Sequence, residues 1–252
     1  MADATFFNEY RPKILIALVL TLASGLVDIV GYSGIFHFFT AHLTGTTVHL
    51  GHGIMVRNWM DVLAAGIIVA AFLCGSIFAR SLIEFGSRTR IRRIASVTLG
   101  IEAILLVAVA YERLNSTATT YSSLALLAGA MGIQTATLTG IGPLTVHTTF
   151  VTGMVNKIGQ LVSHITFRAY DLLKTKSRSA SVERAQREDR QMTLFLLCIW
   201  LFYVGGAAAG TWSFAVWGMR ALFIAVGLLL ISIATDRVWP VSIKEEKEQS
   251  ER

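Results

Sequence analysis

The sequence predicts an all-α, polytopic membrane protein with about six spanning helices and two polar, broken or re-entrant helices, arranged as two inverted repeats. Three observations carry this. First, 54% of residues are hydrophobic and only 15% charged, against roughly 25% charged in soluble domains, and the mean hydropathy is +0.59. Second, the charges cluster at 80–93, 167–190 and 236–252, and the apolar runs between them reach the roughly 20 residues a bilayer crossing needs. Third, a pattern of Thr, Gly and His occurs twice, as "FTAHLTGTTVHLGHG" at 39–53 and "VHTTFVTGMVNKIGQ" at 146–160. The lipid bilayer is therefore the first partner.

In chain order, the run at 14–36 spans; it is too long for a signal peptide, contains Asp28 and has no small-x-small cleavage pattern after a short core. The polar segment 40–56 follows, then spans at 60–82, 93–111 and 119–138. The second polar segment, 144–165, leads into a basic cytoplasmic insert at 167–191, spans at 192–212 and 215–235, and a charged cytoplasmic tail at 236–252. The whole chain, 1–252, reads as one membrane domain, with a first repeat at 14–111 and a second at 119–235. Gly25-Leu-Val-Asp28 holds the position of Gly132-Ile-Gln-Thr135, and each half then has a Thr-Gly step, Thr44-Gly45 and Thr152-Gly153. Cys74 and Cys198 lie inside apolar runs as small hydrophobes, not as a disulfide framework. The small-residue faces at 64–76 and 205–210 suit internal packing or a homo-oligomer.

Charge sets the expected topology. Arg80, Arg88, Arg90, Arg92 and Arg93 oppose Glu84 in one loop, and 167–190 has a similar basic excess, so both loops belong in the cytoplasm. Three candidate segments separate them; if all three spanned, the loops would lie on opposite sides. The polar 144–165 is the one expected not to span, and its counterpart 40–56 likewise. Arg11 and Lys13 put the N-terminus inside, and the C-terminus follows. The formal net charge of +6 is thus explained by short loops, and no nucleic-acid partner is expected.

Non-helical backbone at membrane depth must line protein or a watery cavity. Thr44 is expected to cap a helix opening at Gly45, with Thr46 in its first turn, and Thr152 to do the same for Gly153. Such a buried helix N-terminus suits an anion or a polarised solute. All six histidines, His37, His42, His49, His52, His147 and His164, fall in or beside the polar segments, which suits pore lining or proton coupling as well as plain helix packing. His49 and His52 share a helix face, yet no carboxylate or thiol joins them at ligand spacing, so no metal site is expected. Asp28 and Lys157 are a candidate pair across the repeats, while Glu102 reads as a snorkelling or helix-pairing acid. The candidate substrate site is Asp28, His42, Thr44, Gly45, Thr46, His49, Gln134, Thr149, Thr152, Gly153, Asn156 and Lys157. There is no GxSxG, HExxH or P-loop, so neither an enzyme nor a cofactor is expected.

"SGLVDIVGYSGIFHFFTAHLTGTTVHLG" together with "AGAMGIQTATLTGIGPLTVHTTFVTGMV" resembles the YoaK-like family of bacterial membrane proteins, a domain of unknown function. The likeness covers about 14–235 and rests on G-x-x-D with A-H-x-T-G, and on G-x-Q with T-T-F-V-T-G. It departs at Thr46 and Thr135, where that family commonly has Asn. The resemblance implies a bacterial inner-membrane protein of about six helices and supplies no substrate. The expected function, from the architecture, is a secondary transporter or channel for a small solute, an anion included, working at the repeat interface. The alternative is a non-transporting scaffold or sensor acting through the insert.

Overall fold

The computed structural model describes residues 6–89, 93–115, 119–138, 140–141, 144–145, 151–175 and 180–238. The described residues are helical apart from connecting turns and one pair of two-residue strands, Gly140–Ile141 against Leu144–Thr145. A short α1, Phe6–Glu9, precedes α2, Arg11–Gly31, where Pro12 occupies the first turn, whose N–H groups lack helical partners anyway. A π-turn at Tyr32–Phe36 extends α2 and ends at His37, which is left-handed with φ 54°. Then come α3, Leu43–Val56; α4, Trp59–Arg88; α5, Ile94–Asn115; α6, Thr120–Thr137; α7, Val151–Thr175; α8, Ala180–Trp217; and α9, Leu222–Val238.

Local chemistry sets several of these ends. Asn58 caps α4 by accepting from the Asp61 N–H and donating to its carboxylate. Thr119 caps α6 through the Ser122 N–H. A 3-10 turn starting at Gly218, at φ +56°, separates α8 from α9, because glycine alone adopts that backbone without strain. The break expected near 213–214 therefore falls at Gly218. The insert expected at 167–191 is helical on both sides, since α7 runs on to Thr175 and α8 starts at Ala180.

Among the described residues, four stretches are long and apolar enough to cross a membrane: Arg11–Phe36, Trp59–Arg88, Ile94–Asn115 and Ala185–Val238, the last holding most of α8 and all of α9. α6 is 18 residues with polar ends. α3, with 14 residues, is about 21 Å long, short of the roughly 30 Å hydrocarbon core.

The packing has an internal correspondence. α4 packs on α6 as α8 packs on α2; α5 lies against α6 as α9 lies against α2; α3 rests on α4 as α7 rests on α8; and α5 meets α9. Glycines set the closest crossings. A Cβ on Gly25 would run into the Tyr203 carbonyl, and one on Gly206 into the Leu22 carbonyl; on the other side, Gly132 faces the Phe72 carbonyl and Gly75 that of Gly129. Backbones approach this closely only where side chains are absent.

Contacts along the crossings give helix directions. Phe6 with Gln191, Leu22 with Gly206 and Leu26 with Gly210 make α2 and α8 parallel. Gly75 with Gly129 and Ala79 with Ile133 make α4 and α6 parallel. Leu20 with Gln134 and Gly31 with Leu127 make α2 and α6 antiparallel. It follows that α2 and α4 run in opposite directions although α3 lies between them.

Candidate functional site

The site begins where the chain turns back after α2. Asp28 is buried, 1% exposed, one turn before the helix ends. Its Oδ1 accepts the Ala41 N–H at 3.1 Å and the Thr40 hydroxyl at 3.3 Å. A single carboxylate oxygen thus ties the returning strand to α2 and fixes the depth at which α3 begins. Its Oδ2 accepts the hydroxyl of Tyr203, from the middle of α8, at 2.7 Å. His42 Nε2 lies 2.8 Å from the same hydroxyl and 3.7 Å from Asp28 Oδ2. The His42 ring leans on Phe39 and stacks on Tyr203, so packing as well as hydrogen bonding holds its orientation.

His42 stands at the N-cap of α3 and supplies no side-chain cap. The capping role expected of Thr44 is not observed: α3 starts at Leu43, which puts Thr44 and Gly45 inside the first turn. Thr152 and Gly153 likewise lie within the first turn of α7, which starts at Val151. Thr46 is buried and its hydroxyl returns to the Phe39 and His42 carbonyls, closing the turn from behind. Uncapped N–H groups at the start of α3 remain available to a ligand.

In front of this turn lies a cavity of about 820 Å³. Of the expected residues, His42, Thr44, Gly45, Thr46, His49 and Thr152 line it. Both helix starts, α3 and α7, therefore face one space. Asp28 sits behind His42, and Gly153 is half-buried beside Thr152. Gln134 is buried elsewhere, donating to the Leu20 carbonyl at 2.7 Å and so joining α6 to α2. Asn156 lines a separate shallow groove of about 550 Å³ on α7, with Gln160, Ser163 and His164. Thr149 and His147 lie outside the described residues.

Two expectations about charge are corrected. Lys157 is exposed on α7, and Asp28 is held instead by Tyr203, His42, Thr40 and Ala41, because the nearest donors come from the returning strand and α8. Glu102 neither snorkels nor pairs: it is fully buried, and both carboxylate oxygens lack a hydrogen-bond partner among the described residues. Among those residues, too, no group of three His, Cys, Asp or Glu lies together. Sequence reasoning missed Tyr203, Phe72 and Thr135, all of which touch Asp28 or the cavity. The available signal was the tyrosine that opens "YVGGAAAG", a hydroxyl embedded beside a small-residue crossing.

The chain matches, over residues 16–235, a family described as "Protein of unknown function (DUF1275)". It is 26% identical over 209 residues to the UPF0700 transmembrane protein YoaK of Bacillus subtilis (strain 168), covering 82% of this chain and 88% of that protein. No solved structure matches.

Proposed function

This chain belongs to the DUF1275 family of transmembrane proteins, and on that premise we propose that it is a secondary transporter or channel for a small solute, most readily an anion. The observation that carries the reading is the convergence of the α3 and α7 starts on one cavity that His42 and His49 also line. Helix N-termini direct partial positive charge and free N–H groups at a ligand, and a protonated imidazole adds a full charge.

In this reading the two halves are inverted copies in the membrane, and α3 and α7 are re-entrant. α3 is supported as such by the opposite directions of α2 and α4 and by its own length. α7 is supported by the opposite directions of the helices on either side of it, since α6 runs against α2 and α8 runs along it. Two re-entrant helices that meet near the midplane from opposite sides suit alternating access at a shared site. The protein then sits in the bacterial inner membrane with both termini in the cytoplasm, the side of Arg80, Arg88 and Arg93.

The test is flux into proteoliposomes of the purified chain, with chloride, formate, acetate and inorganic phosphate as probes. At least one should enter faster than into protein-free vesicles, and Thr152→Leu, which fills the cavity mouth, should slow it. Protein-free rates for all four probes, with no thermal stabilisation by any, would sink the reading.

A further inference from the structure

The hydrogen bonds behind the cavity have a direction. Tyr203 Oη donates to Asp28 Oδ2, so the hydroxyl oxygen is left to accept, and His42 Nε2 carries the hydrogen between them. The His42 side chain is 38% exposed and lines the cavity, whereas that of Asp28 is 2% exposed and does not. This chain of contacts joins the cavity to Asp28 through His42 and then Tyr203.

We infer that His42, Tyr203 and Asp28 form a proton relay from the cavity to a buried carboxylate, and that among the described residues this relay has no counterpart at the matching crossing. The step balances without other reactants. A hydronium ion in the cavity gives its proton to the free ring nitrogen of His42 and leaves as water. The Nε2 hydrogen passes to Tyr203 Oη as the tyrosine hydrogen passes to Asp28 Oδ2. A neutral imidazole, a neutral tyrosine and a neutral carboxylic acid remain; only N–H and O–H bonds have changed. Removing the carboxylate charge behind the cavity favours an anion within it, so the relay deepens the transport reading, on which this coupling rests, by naming the proton as the coupling ion.

The internal correspondence supplies the second half of the inference. The displacement along the chain that carries Gly25 to Gly132 also carries Leu22 to Gly129, and the one that carries Gly75 to Gly206 also carries Phe72 to Tyr203; these are the residues in matching backbone contact at the two crossings. The same displacements set Asp28 opposite Thr135 and Tyr203 opposite Phe72. Thr135 and Phe72 both line the cavity, and neither side chain titrates. The two crossings thus share backbone contacts and differ in the side chains set beside them, one pair ionisable and one neutral.

Few other groups compete for the proton near Asp28. The elements around α2 present His42 and Tyr203 to it; the π-turn adds Tyr32, stacked on Phe39 and edge-on to His37. The 3-10 turn carries Arg220, α9 carries Asp236 and Arg237 in its last turn, and α6 has Tyr121 in its first. Within α2 the remaining charges are Arg11 and Lys13 at its start, and those of α8 precede Met192.

The test uses the full-length protein in lipid nanodiscs with no solute, followed by infrared spectroscopy of carboxylic-acid carbonyls after a downward pH jump. A band that shifts in D2O should appear in the wild type and be missing from Asp28→Asn. It should form on the order of a hundredfold more slowly in His42→Gln and in Tyr203→Phe; the latter ring is the one Phe72 already carries at the matching crossing. No Asp28-dependent band at any pH where the protein stays monodisperse, or unchanged rates in both relay variants, would overturn the relay. An intact relay in a protein that passes none of the four probe anions would overturn the transport reading alone, and anion flux without the Asp28 band would overturn the relay alone.

Discussion

Glu102 lies in the middle of α5 with both carboxylate oxygens buried and unpartnered among the described residues. Leaving such a group unpaired costs about 1–3 kcal/mol relative to an apolar side chain of similar shape. Glu102→Met should therefore preserve the fold and raise the thermal midpoint in detergent; a lowered midpoint would mean that Glu102 has a partner in the folded protein. Gly45 offers the opposite case. A Cβ there meets nothing within 4 Å, and its backbone is not left-handed, so neither packing nor a turn requires glycine. Gly45→Ala should leave stability unchanged or raise it by up to about 1 kcal/mol, while weakening anion flux because the methyl enters the cavity. Unaltered flux would remove Gly45 from the site. The sequence marked Gly45 as a helix break; the structure makes it part of a helix whose start is set by Asp28 and the returning strand.

At the scale of the elements, the crossings of α2 with α8 and of α4 with α6 decide whether the site exists. Gly25→Ala would press a methyl against the Tyr203 carbonyl and the Ala207 N–H, backbone atoms that cannot turn aside. Overpacking of this kind costs typically about 1–3 kcal/mol, and here it also draws Tyr203 away from Asp28. Gly132→Ala should destabilise by a similar amount through the Phe72 carbonyl, without touching the relay. Gly66→Ala and Gly227→Ala, which meet nothing within 4 Å, serve as silent controls. Thermal unfolding of the four variants checks this, and equal stability across the set would contradict the packing described. The small-residue faces at 64–76 and 205–210 were legible in the sequence as stripes, and Gly25 and Gly132 as marks of the repeat. Which helix each stripe faces was not, because a small residue specifies close approach without specifying the partner.

For the whole molecule, the directions of α2, α4, α6 and α8 make a prediction about sidedness. In a background lacking Cys74 and Cys198, Asn58→Cys should react with an impermeant maleimide on intact cells. Thr89→Cys and Arg187→Cys should react only after permeabilisation. Labelling of Arg187→Cys from outside would mean that α7 carries the chain across the membrane, and the inverted arrangement would fall. The membrane class, most helix positions and the two polar segments follow from composition and hydropathy, because burial in lipid constrains every residue of a span in the same way. The basic loops add an orientation by counting charges alone.

The sequence by itself determined that the chain is a helical membrane protein of the DUF1275 family, with paired Thr-Gly segments that interrupt its apolar runs. It also pointed to Asp28 and His42 as polar groups in the wrong place for lipid. Only the tertiary structure decided what they touch. It gave Asp28 a tyrosine from α8 rather than Lys157, brought Thr44 and Thr152 to one cavity, buried Glu102 without a hydrogen-bond partner among the described residues, and set Phe72 and Thr135 opposite Tyr203 and Asp28. The physical reason is range. Hydropathy and charge act on each segment separately and can be summed along a chain, whereas a hydrogen bond of 2.7 Å between residues as far apart as Asp28 and Tyr203 depends on which helix faces meet.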